Sequence, residues 1–277
     1  GDGVYILGFV PRQQVEAVIG YAASEGLFRF AVLAPDDDYG QAVMQAARGA
    51  IEAGGGFLIR AMYYDPAATD LTDTVKAFAN YDARRGELIA QRKALKEKDD
   101  EVSRRALRRL ERLETIGDAP FDAVLVPESG ERLRALSSLL SYFDIDRPAV
   151  RLLGLRSWDL IANLGSEPAL IGAWYAGSPV AERERFAVRF KKAFGRLPPR
   201  LATLAYDAAA LAAILGQGGP DYSPAALADS RGFLGIDGIF RLRADGIAER
   251  AFAIHEVTRD GTIARRPAPR SFTPLTN

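Results

Sequence analysis

Through the first two thirds of the chain, short apolar runs that end in polar, Gly or Pro residues alternate with stretches of helical period. The apolar runs cover 4–9, 30–34, 57–63, 123–126, 150–153 and 170–174, and the helical stretches cover 13–25, 39–53, 70–113, 130–143 and 157–163. Runs that are apolar throughout, rather than alternating, predict strands covered on both faces, as in a parallel sheet layered with helices. The stretch after Tyr39 places Val43, Ala46, Ala47, Ala50 and Ile51 on one helical face. Gly54, Gly55 and Gly56 then supply a left-handed stop and the turn into the next strand.

Two regions break the βαβ rhythm. Residues 83–114 have one glycine, no proline, a thin stripe of Leu88, Leu95, Val102, Leu107, Leu110 and Leu113, and eleven Lys or Arg between 84 and 114 against seven Asp or Glu. This predicts a charged helical arm inserted into the fold and dispensable for folding. After Trp174 two amphipathic or Ala-rich helices, 182–194 and 201–215, follow each other without a strand between them. Residues 238–243 and 249–257 around Asp245-Gly246 predict a hairpin, Asp260-Gly261 a second turn, and the Pro-rich end from Arg265 an extended strap.

Composition narrows the function classes. Lys plus Arg and Asp plus Glu both number 36, so no global field recruits nucleic acid or an anionic membrane. The chain has no cysteine, which excludes disulfides, thiolate metal sites and cysteine nucleophiles. No apolar stretch reaches the roughly 18 residues of a membrane span. Gly1-Asp2-Gly3 opens without a basic leader, so the chain is expected to be cytosolic or to start at a point that is not its natural N-terminus.

Candidate chemistry gathers at the ends of predicted strands, where open α/β sheets place ligands. Asp36, Asp37 and Asp38 follow one strand and fit either helix capping, a polar ligand contact beside Tyr39, or a magnesium site in a metal-assisted enzyme. Glu128 and Ser129 follow the next, and Arg156, Ser157 and Trp158 the one after. An acid, a guanidinium, hydroxyls and aromatics on one sheet edge suit a small polar ligand and require no proton-transfer machinery, so Tyr39, Glu128, Ser129, Arg156, Ser157 and Trp158 are expected to line one cleft. His255, the sole histidine, lies in an apolar strand and is read as structural. The glycine runs match neither a dinucleotide nor a P-loop pattern, and no cofactor is implied.

The order of these pieces resembles the type 1 periplasmic binding proteins of the leucine/isoleucine/valine-binding group. The resemblance is carried by Tyr5-Ile-Leu-Gly-Phe-Val-Pro-Arg-Gln-Gln, Ala31-Val-Leu-Ala-Pro-Asp-Asp-Asp-Tyr-Gly, Asp122-Ala-Val-Leu-Val-Pro, Leu153-Gly-Leu-Arg-Ser-Trp-Asp, Gly172-Ala-Trp-Tyr-Ala and Ala205-Tyr-Asp-Ala. It implies a doubly wound α/β fold in which 1–177 and 236–264 form the second lobe with an insertion at 83–117. Residues 178–235 are then helices of a first lobe whose N-terminal part is absent, and 265–277 a tail. The charged insertion resembles that of the penicillin-binding protein activators. The resemblance thus implies a non-enzymatic periplasmic protein, in that branch an outer-membrane lipoprotein anchored through a lipid outside this sequence, that regulates peptidoglycan synthesis by contacting a peptidoglycan synthase. The alternative is a solute receptor that takes amino acids or similar small polar ligands to an ABC transporter permease. In an amino-acid binder an acid would meet the ammonium near the place of Arg156, which sets this sequence apart from that pattern.

Overall fold

The computed structural model describes residues 4–272 apart from 99, 118, 200 and 218. Its main sheet has seven strands in the order β2 (Phe57–Tyr64), β1 (Arg29–Pro35), β3 (Ala123–Leu125), β4 (Arg151–Gly154), β5 (Trp174–Gly177), β9 (Ala253–Thr258) and β10 (Gly261–Arg266). The first five are parallel; β9 runs antiparallel to β5, and β10 antiparallel to β9. The apolar runs follow from this position, since six of the seven β1 residues are buried. Phe30, Val32 and Ala34 face one core with α1 (Pro11–Ser24) and α2 (Asp38–Ala53). Ala31 and Leu33 face the other with α3 (Thr72–Phe78) and α6 (Gly130–Tyr142). This is a mostly parallel doubly wound α/β fold.

A second, three-stranded antiparallel sheet joins β6 (Phe233–Gly235), β7 (Gly238–Leu242) and β8 (Ala248–Arg250). Around it lie α7 (Val180–Phe194), α8 (Ala202–Leu215) and the short α9 (Pro224–Leu227). Phe240, Leu242 and Ala248 form a small core with Leu211, and Tyr5 and Leu7 pack on it.

Several expectations need correction. Residues 4–9 form no sheet strand: Ile6 makes one parallel bridge to Ile247 beside β8, because Tyr5 and Leu7 are drawn to the small core. The stretch 70–113 is three helices, α3, α4 (Tyr81–Lys96) and α5 (Glu101–Leu110), broken by Asn80 at φ 50° and restarted at Asp100, whose carboxylate accepts from the Ser103 amide at 2.8 Å. The arm is rooted in the core through Tyr81, Arg84 and Leu88, all buried, and Arg84 donates to the Gly117 carbonyl at 3.1 Å. Residues 168–170 form a short 3-10 turn, so that strand begins at Trp174 instead of 170. The stretch 249–257 is divided between sheets, β8 in the small one and β9 in the main one. Residues 238–250 therefore do not rejoin the main sheet with 253–266. Beyond β10, the strap anchors Phe272 beneath the Arg241 guanidinium, 4.6 Å from ring centroid to charge; residues 273–277 of the expected tail lie outside the described residues.

Candidate functional site

The carboxyl ends of β1, β3 and β4 open onto one cleft of about 750 Å³. At the end of β1, Asp37 caps α2 by accepting from the Gly40 amide at 2.7 Å. Only glycine fits at position 40, because a Cβ there would lie 1.9 Å from the Pro35 carbonyl oxygen. That close approach fixes Tyr39, in the first turn of α2, on the cleft wall. Its phenol is pushed up to about 12, chiefly by burial and further by the charges of Glu128 and Asp37.

After β3 the chain turns through Pro127 into Glu128 and Ser129, both on the cleft. The Glu128 carboxylate accepts from the Tyr64 hydroxyl, and burial together with that bond raises the Tyr64 pKa. Its backbone carbonyl accepts from the Trp158 indole at 2.9 Å and from the Ser157 hydroxyl at 3.4 Å. Trp158 is 1% exposed and does not face the cleft; it supports the Glu128 turn from below. Gly154 makes this possible, since a Cβ there would fall 2.2 Å from the indole.

Arg156 reaches the rim, but its charge is already committed. Its Nη2 donates to Asp237 at 3.0 Å and its Nε to the Ser178 hydroxyl at 2.9 Å, while its backbone amide donates to Gln14 at 3.0 Å. The guanidinium also lies 3.6 Å over the Phe9 ring. Asp159 and Asp237 are almost wholly buried, and Arg183 lies 3.2 Å from the first and 3.9 Å from the second. Burial pushes the Asp237 carboxyl up, but the charge of Arg156, the Thr203 hydroxyl and Arg183 outweigh it and hold it below its usual value. Arg156 thus ties β4 to β5 and to the turn between β6 and β7, and does not stand as a free anion receptor.

Tyr39, Glu128, Ser129, Arg156 and Ser157 therefore come together, and Trp158 stands behind them. Phe9, Gln14, Leu201 and Leu204 complete the lining. Nothing in the local sequence marks these four, because Phe9 and Gln14 sit around the start of α1, and the two leucines cross from the beginning of α8. The cleft surface is acidic and hydroxylic, with an aromatic and aliphatic wall. Among the described residues, no group of three or more His, Cys, Asp or Glu side chains could hold a metal ion. His255 is buried, with Nε2 3.0 Å from the Ser178 carbonyl oxygen, away from the cleft. No helix among the described residues is long and apolar enough to cross a membrane.

A family model described as periplasmic binding protein matches residues 1–262. No curated protein matches the chain. Among solved structures, the chain is similar to a branched-chain amino acid ABC transporter periplasmic ligand-binding protein from Burkholderia xenovorans (TM-score 0.62, 16% identity, 97% of this chain and 67% of that one). It is also similar to a leucine-binding protein from Thermotoga maritima (TM-score 0.58, 15% identity, 95% and 67%). A third is a solute-binding protein of an ABC transporter from Rhodopseudomonas palustris in complex with 3,4-dihydroxybenzoic acid (TM-score 0.57, 17% identity, 96% and 66%). The chain spans about two thirds of the length of these structures.

Proposed function

This chain belongs to the periplasmic binding protein family, and we propose that it is the ligand-holding body of a solute receptor for an ABC transporter, acting in the periplasm without catalysis. The observation that carries this is the 750 Å³ cleft at the strand ends, walled by Tyr39 and faced by Glu128, Ser129 and Ser157. A pocket of that size with a few convergent polar groups suits a small polar molecule. The similar solved structures, named as transporter binding proteins, favour this reading over a regulator of peptidoglycan synthesis.

The charge of the lining narrows the ligand. Arg156 is neutralised by Asp237 and Asp159, whereas Glu128 faces the cleft with one neutral partner, Tyr64. A ligand with an ammonium and an apolar side chain matches this surface better than a simple carboxylate: Glu128 meets the ammonium and Tyr39, Phe9 and Leu204 meet the apolar part. Small amino acids such as leucine are therefore favoured over benzoates, and Glu128 takes the part that the resemblance to amino-acid binders gives to an acid near the place of Arg156. We also infer that α7, α8 and the small sheet belong to a second α/β body that closes over the cleft; Leu201, just before α8, and Leu204 within it already line the cleft.

Isothermal titration with leucine and with benzoate tests the reading. Leucine should bind, benzoate at least about tenfold more weakly, and Glu128→Gln should remove most of the leucine affinity because a charge-assisted hydrogen bond is replaced by a neutral one. Equal binding of both ligands, or leucine binding insensitive to Glu128→Gln, would overturn it.

A further inference from the structure

At the amino ends of β4 and β5, opposite the cleft, arginines gather around two buried aromatic rings. Trp174 of β5 and Tyr21 of α1 meet edge to face at 4.9 Å. The guanidinium of Arg151, the first residue of β4, lies 4.1 Å from the centre of the Trp174 ring and donates to the Gly172 carbonyl. Arg266 of β10 lies 5.3 Å from the centre of the Tyr21 ring. Its neighbour Arg265 is 3.4 Å from Glu256, which also accepts from the Trp174 indole at 2.9 Å. Arg147, in the loop before β4, completes the group. Gly172 stands at φ 81°, and a Cβ there would lie 1.8 Å from Arg147 Nη1, so glycine lets this guanidinium rest against the same residue that Arg151 grips. Arg147 is exposed and has no hydrogen bond or ion pair among the described residues.

The charges do not balance. The guanidinium groups of Arg147, Arg151, Arg265 and Arg266 share this edge with the carboxylates of Glu256 and Glu25 alone, which leaves two positive charges over. Asp122 adds nothing, because Arg29 holds its carboxylate at 2.6 Å. Burial, and after it the charge of Arg147, hold the Arg151 guanidinium below its ordinary value, with only partial relief from Glu256. Like charges packed together on aromatic faces repel, and an anion among them relieves the repulsion. Guanidinium forks match both carboxylate and phosphate oxygens, and the surplus charge selects between them. A phosphoryl group carries about −1.5 to −2 charge near pH 7 on three acceptor oxygens, whereas a carboxylate offers a single charge.

We propose that Arg147, Arg151 and Arg265 form a second binding site, at the opposite strand ends from the cleft, for a phosphoryl group of a soluble phosphate or of a phosphate-bearing lipid headgroup. Arg151 stays anchored on Trp174 and Gly172, while Arg147 and Arg265 close on the remaining oxygens. Drawing Arg265 toward the anion loosens its hold on Glu256, so the Trp174 indole N–H, bonded to that carboxylate, reports occupancy.

The chain has two tryptophans, so the indole region of a proton–nitrogen correlation spectrum holds two lines. The second belongs to Trp158, whose indole donates to the Glu128 carbonyl beside the cleft, and it serves as the internal control. Potassium phosphate should move the Trp174 line saturably and leave the Trp158 line in place, while potassium chloride at equal ionic strength should move neither. Arg147→Gln removes an exposed side chain with no structural bond; it should keep the parent melting temperature and weaken phosphate about tenfold, the loss of one charge-assisted hydrogen bond. Flotation with phosphatidylcholine vesicles, with and without phosphatidic acid, separates the two sources. Capture by phosphatidic acid that Arg147→Gln abolishes assigns the phosphoryl group to a lipid, and a shifted Trp174 line without capture assigns it to a soluble molecule; both support the site. A Trp174 line unmoved by phosphate, an equal shift with chloride, a shift of Trp158 alone, or full phosphate affinity in Arg147→Gln would overturn the proposal.

Discussion

Arg156 shows how a residue chosen from its position at a strand end can take on a different task. Its guanidinium is paired with the fully buried Asp237, and removing one member of such a pair strands the other charge in a low-dielectric site. Arg156→Met should therefore cost about 3–5 kcal/mol in urea unfolding, and adding Asp237→Asn should recover part of the loss in a double-mutant cycle. The same pair sets a pH dependence. The folded Asp237 pKa lies below the ordinary carboxylate value, so its stabilisation is fully present above about pH 4 and is lost as pH falls through the lower folded value. Asp237→Asn should flatten the acid limb of the stability profile, and an unchanged limb would assign it to other carboxylates. The places of Tyr39, Glu128, Ser129 and Ser157 were legible because each follows an apolar run, and strand ends of a parallel sheet share an edge by topology. The partners of Arg156 were not, since Ser178 and Asp237 lie 22 and 81 residues away and no local pattern announces a buried ion pair. Trp158 was misplaced for a similar reason: a strand-end tryptophan reads as a cleft wall until Gly154 is seen to let it fold back over β4.

The charged arm divides into a root and a tip. Leu88 is 1% exposed, whereas Val102 is 78% exposed. Leu88→Ala should cost about 2–5 kcal/mol as a core truncation, while Val102→Ala should stay within roughly 0.5 kcal/mol. Chemical denaturation of the two variants separates the halves, and a small effect at Leu88 would restore the expectation that the whole arm is dispensable. The sequence held the signals for its breaks. Asn80 tolerates the left-handed backbone, and Asp100 with Ser103 three residues on is a helix start, but both were hidden in a run of otherwise strong helix formers. The division of 249–257 between two sheets had no such signal. Ala251 and Phe252 carry the chain from one sheet to the other without Gly or Pro, and the step is fixed by distant contacts, among them the Ala251 amide on the Ile239 carbonyl at 3.2 Å.

At the scale of the molecule, the main sheet is covered on both faces by two cores, while the small sheet gathers only a few buried residues. The periodic first two thirds of the sequence made the former readable; the latter is assembled from segments far apart, with Tyr5 and Leu7 near one end and Ala248 near the other. Helix α8 shows the consequence. A helix with apolar residues on every side is normally covered on every side, yet here only Asp207 and Leu211 are buried, and Ala205, Ala208, Ala209, Ala212 and Ile214 face solvent. Phe194 and Leu201 beside them are 65% and 67% exposed. Contiguous apolar surface of this kind associates with other surfaces, which agrees with the inference that α7 and α8 serve a second body. The chain of these 277 residues should therefore self-associate at micromolar concentration in sedimentation velocity. Ala208→Glu with Ala212→Lys places a favourable i,i+4 charge pair on the exposed face. That double variant should shift the distribution toward monomer while leaving the melting temperature unchanged, because neither alanine is buried in the fold. A parent that sediments as a monomer throughout that range would mean that the face is tolerated in water and would remove the main support for a covering body.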